Sequence, residues 1–171
     1  VKFVQAQPKQ LEQVVQLYRD VVHTMHENGL FQWDESYPNR EVLQADIENS
    51  ELFLLLDDEQ ITGAVVLNQK EEPVYQTIPW QYKHHHFLVI HRLCVNPALQ
   101  GKGIAKRLMN EIETYAKEQG YKSIRLDTMM ENKVAMKLYE GLGYERRGVF
   151  KFPSREEDFM SYEKDLSVRE Q

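Results

Sequence analysis

The stretch from His91 to Met109 constrains this chain more than any other. It reads as an apolar strand ending at Asn96-Pro97, a short loop with glycine at 101 and 103, and then a long helix. Proline has no N–H to give a sheet ladder, so the strand stops before Pro97. Gly101 and Gly103 remove side chains where the chain turns into the helix, leaving backbone N–H groups accessible. The first N–H groups of a helix have no internal acceptor and carry the positive end of its dipole. Lys102, Lys106 and Arg107 add charge of the same sign nearby. Such a corner suits an anion, and a phosphate or pyrophosphate in particular.

Two familiar phosphate motifs do not fit. A P-loop needs GxxxxGK followed by Ser or Thr, and this loop has neither that spacing nor the hydroxyl. A Rossmann fingerprint needs a third glycine where Lys106 stands. Gln100-Gly101-Lys102-Gly103-Ile104-Ala105 instead fits Q/R-x-x-G-x-G/A, after a strand ending Val95-Asn96-Pro97. Downstream, Ser123 to Thr128 reads as a strand. Asn132, Ala135, Tyr139, Glu140, Gly143 and Tyr144 follow it in the spacing N-x-x-A-x-x-x-Y-E-x-x-G-[FY]. Two such blocks, in this order and separated by one helix and one strand, resemble the GNAT superfamily of acyl-CoA-dependent N-acyltransferases. The resemblance is specific from Ile90 to Tyr144 and compatible with the family elsewhere.

The 171 residues read as one N-acetyltransferase (GNAT-like) domain, 1–171, long enough to bury a full core. No apolar run approaches the roughly 20 residues of a membrane span, and no signal peptide is visible before the strand-like start. The missing initiator Met suggests a start inside a longer or processed chain. One cysteine excludes an intramolecular disulfide framework and fits a cytoplasmic location. A net charge of −6 argues against nucleic acid as the main partner, while leaving room for a local basic patch and a cationic substrate.

In chain order, Lys2 to Ala6 is a short strand, and Pro8 opens a helix whose apolar face is Leu11, Val14, Val15, Tyr18, Val21, Val22 and Met25. Gly29 to Pro38 carries Leu30, Phe31, Trp33 and Tyr37 among polar residues. It is either an aromatic loop sealing the core or part of an acceptor pocket. Asn39 can cap a second helix. Leu52 to Leu56 and Ile61 to Leu67 form a hairpin, and Lys70 to Lys83 is a long connection. In that connection Trp80 and Tyr82 read equally as lid or packing. Of His84, His85 and His86, strand alternation lets at most His84 and His86 share a ligand. No Cys or HExxH pattern supports zinc, so a solvated edge is favoured and no metal is expected. Phe87 to Val95 is the central strand, and Ile104 starts a helix that stops at Gly120. Tyr144 to Phe152 and Asp158 to Leu166 make a final antiparallel pair, with Ser167 to Gln171 a frayed tail.

The resemblance implies an α/β fold, a mixed, twisted β-sheet of about seven strands flanked by helices on both faces. The strands at Phe87–Val95 and Ser123–Thr128 are expected to splay apart and admit the acyl-pantetheine arm. It implies acetyl-CoA as co-substrate and a primary amine, in particular of a small molecule, as acceptor. The amine would attack directly through a tetrahedral intermediate. A protein or peptide acceptor, or a non-catalytic acyl-CoA sensor, are the alternatives. By the same resemblance, the backbone of Leu93, Cys94 and Val95 pairs with pantetheine, Val95 N–H serving as oxyanion donor. The N–H groups of Gln100, Gly101, Lys102, Gly103, Ile104 and Ala105 hold the pyrophosphate. Asn132 bonds the pantetheine arm, and Tyr139 protonates the sulfur. Exposed strand edges allow a homodimer.

A phenol of pKa about 10 stays protonated at neutral pH and can serve a thiolate leaving group. Without the Asn132 match, Tyr139 would read as an amphipathic-helix tyrosine with its ring in the core. Cys94 has no recognisable paired base and reads as packing rather than as a nucleophile. The proton acceptor stays open among His91, Asp127, Asp34 and Glu35. Asp127 could instead be a structural partner of Arg92 or Arg125. Trp33, Asp34, Tyr37 and Trp80 are the candidate substrate-pocket residues. Asp34, Glu35, Asp46 and Glu48 could draw in a cation.

Overall fold

The computed structural model describes residues 1–83 and 85–167. His84 of the His84/His86 pair, and the expected tail beyond Ser167, lie outside the described residues. Seven strands form one sheet in the order β1-β2-β3-β4-β5-β7-β6. The chain divides into two compact units, Val1–Leu67 with His91–Glu111, and Asn68–Ile90 with Ile112–Gln171.

The first unit begins with β1 (Lys2–Gln5), a 3-10 turn over Pro8–Gln10 and α1 (Leu11–Glu27). Pro8 thus starts a single tight turn, and the α-helix proper begins three residues later. The apolar positions at helical spacing are the buried ones: Val14, Val15, Tyr18, Val21 and Val22, with Leu17 added. Asn39 caps α2 (Arg40–Glu48) as expected, its side-chain oxygen accepting from Val42 N at 2.9 Å. The unbroken leucine run becomes β2 (Leu52–Asp57), antiparallel to β1 from Lys2↔Leu56 to Gln5↔Phe53. It returns as β3 (Gln60–Asn68) through a two-residue turn in which Asp58 takes φ 52, a conformation Asp tolerates. Val14, Val15, Tyr18, Leu43 and Ile47 pack on Leu52, Leu54, Ala64, Val66 and Cys94 as this unit's core.

In the second unit the first residues of β4 (Phe87–Val95) run parallel to β5 (Ser123–Met129), from Phe87↔Ser123 to Val89↔Arg125. α3 (Ile104–Glu118) precedes β5, and α4 (Lys133–Gly141) follows it. β6 (Glu145–Phe150) and β7 (Phe159–Asp165) are the expected antiparallel pair. β7 inserts between β5 and β6, pairing with β5 from Ser123↔Asp165 to Met129↔Phe159. Gly143 (φ 89) ends α4, with Tyr144 N donating back to Tyr139 O at 3.0 Å.

The long connection before β4 is packed rather than loose. It contains a 3-10 turn over Pro73–Thr77, and Tyr75, Ile78 and Trp80 are buried. The Arg125 guanidinium lies over the rings of Trp80 (4.7 Å) and Phe87 (4.1 Å). It also pairs with Glu71 at 2.8 Å and donates to Tyr82 O at 2.8 Å. The fully buried Glu163 carboxylate accepts from Gln81 N, Tyr82 N and Arg147 Nε. Trp80 is packed in this connection, while Tyr82 is half-buried and bonded there through its backbone N–H and carbonyl.

Candidate functional site

In the first unit β4 bends at Arg92, whose φ of 50 is in the left-handed region. For a residue with a Cβ that conformation costs about 1–2 kcal/mol, so its neighbours must hold it. Tyr18 OH donates to Arg92 O at 2.5 Å. The guanidinium makes two bonds to Asp46, at 3.0 and 2.8 Å, and one to Tyr37 OH at 2.8 Å. Past this bend come Leu93 and Val95, half-buried, and Cys94, buried. Burial pushes the Cys94 thiol up to about 12, so it carries no thiolate at neutral pH.

Asn96 anchors the strand end to β3: its N–H donates to Thr62 O at 2.9 Å, and its side chain bonds Ile61 O and Ala98 N. Gly63 makes the close approach possible, since a Cβ there would lie 3.1 Å from Cys94 O and 3.2 Å from the Leu108 side chain. After a 3-10 turn over Pro97–Leu99, Gln100, Gly101, Lys102 and Gly103 are exposed. Gly101 (φ 79) and Gly103 (φ 76) are left-handed, with open space where a Cβ would go. Backbone conformation, not lack of room, therefore calls for glycine here. The N–H groups of Ile104, Ala105 and Lys106 open α3 and have no acceptor within the helix, whereas Arg107 N bonds Gly103 O at 3.1 Å. With Lys102, Lys106 and Arg107 exposed beside them, this donor set fits the phosphates of a nucleotide cofactor.

The second unit holds Asn132, Tyr139 and Asp127. Asn132 caps α4, its oxygen accepting from Ala135 N at 3.1 Å, which fixes the orientation of the amide. Tyr139 is buried against Tyr144 and Tyr162, with ring centroids 6.1 and 5.8 Å away. Burial, then the charge of Asp127 and the neighbouring Tyr162, raise its phenol well above the ordinary range, so it stays protonated. Asp127 is raised to about 6. Burial outweighs the hydrogen bond from Tyr75, and the charge of Glu72 adds to the rise. That bond, Tyr75 OH to Asp127 Oδ2, is 2.5 Å long. Neither arginine named as a structural partner takes Asp127, because Arg92 pairs with Asp46 and Arg125 with Glu71. His91, half-buried, lies in the first unit.

The acceptor-side residues divide as well. Trp33 is half-buried against Tyr18 (5.8 Å), and Tyr37 is exposed, its hydroxyl on Arg92. Asp34 and Glu35 are exposed, and Asp34 Oδ1 accepts from the N–H and hydroxyl of Ser36. Trp80 belongs to the second unit, buried, with its indole N–H on Tyr75 O at 3.0 Å. Asp46 does not serve to draw in a cation, because it is buried and already paired with Arg92. Among the described residues no group of three or more His, Cys, Asp or Glu could hold a metal ion. No helix among them is long and apolar enough to cross a membrane.

Sequence reasoning missed Tyr75, Gly63 and the conformation of Arg92. A tyrosine in a long connection carries no local signal of the carboxylate it meets 52 residues later.

The described residues thus form an α/β protein, a seven-stranded mixed sheet with four α-helices and a glycine corner after its fourth strand. Residues 14–144 match the Acetyltransferase (GNAT) family, and the chain belongs to that family. A GNAT-family acetyltransferase of Streptococcus agalactiae superposes with a TM-score of 0.85 at 22% identity, over 99% of this chain and 96% of that one. The yncA protein of Salmonella typhimurium, solved with its cofactor acetyl-CoA, superposes with a TM-score of 0.72 at 14% identity, over 99% and 96%. In sequence, an uncharacterized N-acetyltransferase of Methanocaldococcus jannaschii is 39% identical over 62 residues, 36% of this chain and 27% of that protein. The chain thus spans about a quarter of that relative's length. An uncharacterized N-acetyltransferase of Bacillus subtilis is 24% identical over 126 residues, 72% of this chain and 70% of its own.

Proposed function

We propose that this chain is a single N-acetyltransferase domain, 1–171, that moves an acetyl group from acetyl-CoA to a primary amine of a small molecule. The observation that carries the reading is the pair of left-handed, exposed glycines, Gly101 and Gly103, within the segment expected to meet the pyrophosphate. Acetyl-CoA, when bound, supplies an activated acyl group and a thiolate leaving group.

The chain's own residues then have distinct tasks. The N–H groups of Gln100 to Ala105 bind the pyrophosphate, with Lys102, Lys106 and Arg107 contributing favourable field. The main chain of Leu93, Cys94 and Val95 orients the pantetheine arm, and Val95 N–H faces the charge that develops on the acyl oxygen. Tyr139 holds the proton destined for sulfur, and its raised pKa keeps that proton in place until a stronger base than water appears. Asn132 positions the cofactor arm. The aromatic segment with Trp33 and Tyr37 supports a small, flat-sided acceptor, and the exposed Asp34 favours one that arrives as a cation.

Calorimetric titration with acetyl-CoA tests the reading. Wild type is expected to bind at one saturable site, Gly103→Glu to lose binding, and Lys106→Glu, which leaves the backbone alone, to weaken it. A folded wild type that binds no acetyl-CoA overturns the proposal.

A further inference from the structure

Asp127 occupies a peculiar position for a carboxylate. It lies on β5 two residues from Arg125, on the same strand face, yet the terminal nitrogens of that guanidinium go to Glu71 and to Tyr82 O, and its Nε bonds nothing among the described residues. Among the described residues Asp127 makes no ion pair. Its partner is a phenol, Tyr75, which engages Oδ2 and leaves Oδ1 to accept elsewhere. Desolvating a carboxylate without a cation is costly, and such an arrangement marks sites where a proton is taken up.

Tyr75 is not there by default. Its ring packs on Trp80 (5.2 Å) and Phe150 (6.1 Å), and its carbonyl takes the Trp80 indole N–H. Arg125 covers Trp80 and ties Glu71 on one side of Tyr75 to Tyr82 on the other. Glu163 fixes the far end through Gln81 N and Tyr82 N. This strap holds one hydroxyl against one carboxylate oxygen. Tyr139, the expected acid, senses the charge of the same carboxylate.

Resting on the acetyltransferase reading, we propose that Asp127 takes the proton of the attacking amine and that Tyr75 is its positioning residue. Asp127 forms an O–H bond as the amine N–H bond breaks and the new N–C bond forms. Tyr139 gives its proton to sulfur as the C–S bond breaks, and the proton on Asp127 then replaces the one Tyr139 has lost. Both residues return to their starting states, with no co-reactant beyond amine and thioester. Neutralising Asp127 also removes the repulsion that opposes a Tyr139 phenolate, so uptake at one favours release at the other. The groups acting on Asp127 are Tyr75 and Glu72 from the strap, and Tyr139 on α4 shares its field.

The test has two arms. In the first, the Asp127 side-chain carboxyl is followed by carbon-13 NMR titration of the ligand-free protein. It is expected to titrate at about 6 in wild type and higher in Tyr75→Phe, which loses the bond that favours the carboxylate. In the second, acetyl-CoA turnover is measured with an alkylamine, a polyamine, an amino sugar and an alanyl peptide, taking the fastest. Asp127→Asn should lose about 100-fold or more in kcat and bind acetyl-CoA within about twofold of wild type. Tyr75→Phe should lower the plateau rate several-fold and move the acidic limb up by about one pH unit.

Asp127→Asn turnover within about threefold of wild type, or an acidic limb that Tyr75→Phe leaves unmoved, overturns the proposal while sparing the acetyltransferase reading. Wild type that binds no acetyl-CoA, or acetylates none of the four amines, overturns both.

Discussion

The glycine corner of the first unit works with main chain. Its residues are exposed, its two glycines are there for backbone angle, and its donors are N–H groups left over from helix geometry. The cluster of Tyr75, Asp127 and Tyr139 in the second unit works with side chains. Its phenols are buried, and its carboxylate is pushed toward neutrality by burial. Holding a soluble anion needs donors that reach water. Taking up a proton near neutral pH needs a group that titrates close to that range, and burial moves Asp127 toward it while moving Tyr139 further away. One region can therefore be strong without being dry, while the other depends on being dry.

Substitutions should separate the two. The largest effect is expected from Tyr139→Phe, which should lower turnover by about 100-fold or more while calorimetry finds acetyl-CoA affinity within about twofold of wild type. A rate within about fivefold of wild type would remove Tyr139 from the chemistry. Next, Asp46→Ala strips the half-buried Arg92 of its buried carboxylate partner and should cost about 3 kcal/mol in urea unfolding. An unchanged midpoint would mean that the bend at Arg92 is held by Tyr18 and Tyr37 alone.

Asp127→Asn should move stability in the opposite direction. The Asp127 pKa rises from 3.8 to about 6 on folding, so the folded state favours the protonated form. Its favourable contribution is complete below pH 3.8 and is lost as pH rises through about 6. The neutral amide avoids that loss. The variant should therefore be more stable than wild type at pH 7, by about 2 kcal/mol, with the gap closing toward pH 4 in thermal unfolding. A variant less stable than wild type at pH 7 would show that ionised Asp127 supports the fold. The smallest effect belongs to the corner: Lys106→Glu should weaken acetyl-CoA binding several-fold at about 0.05 M salt and much less at about 0.5 M. A salt-independent loss would point to a contact rather than a field.

The two regions also differ in how far they could be read in advance. Pro97, Gly101 and Gly103 act on their own backbone, so their spacing carried the strand end, the turn and the helix start without knowledge of any partner. Asn39 caps its helix for the same local reason, whereas the cap that Asn132 makes was not read in advance. The order of elements was legible too, because periodicity is local. The insertion of β7 between β5 and β6 was not, since strand pairing is chosen among distant segments. Nor was the contact of Trp80 with Arg125, which joins residues far apart in the chain.

By itself, the sequence determined the elements and the glycine corner, which rest on bonds and conformations within a few residues, while the block around Asn132 and Tyr139 was legible only through its resemblance to a family. Tertiary structure alone decided the left-handed conformation of Arg92, the strap around Tyr75 and the upward pKa shifts of Asp127 and Tyr139. These depend on which groups lose water together, and desolvation belongs to no residue until the chain has folded.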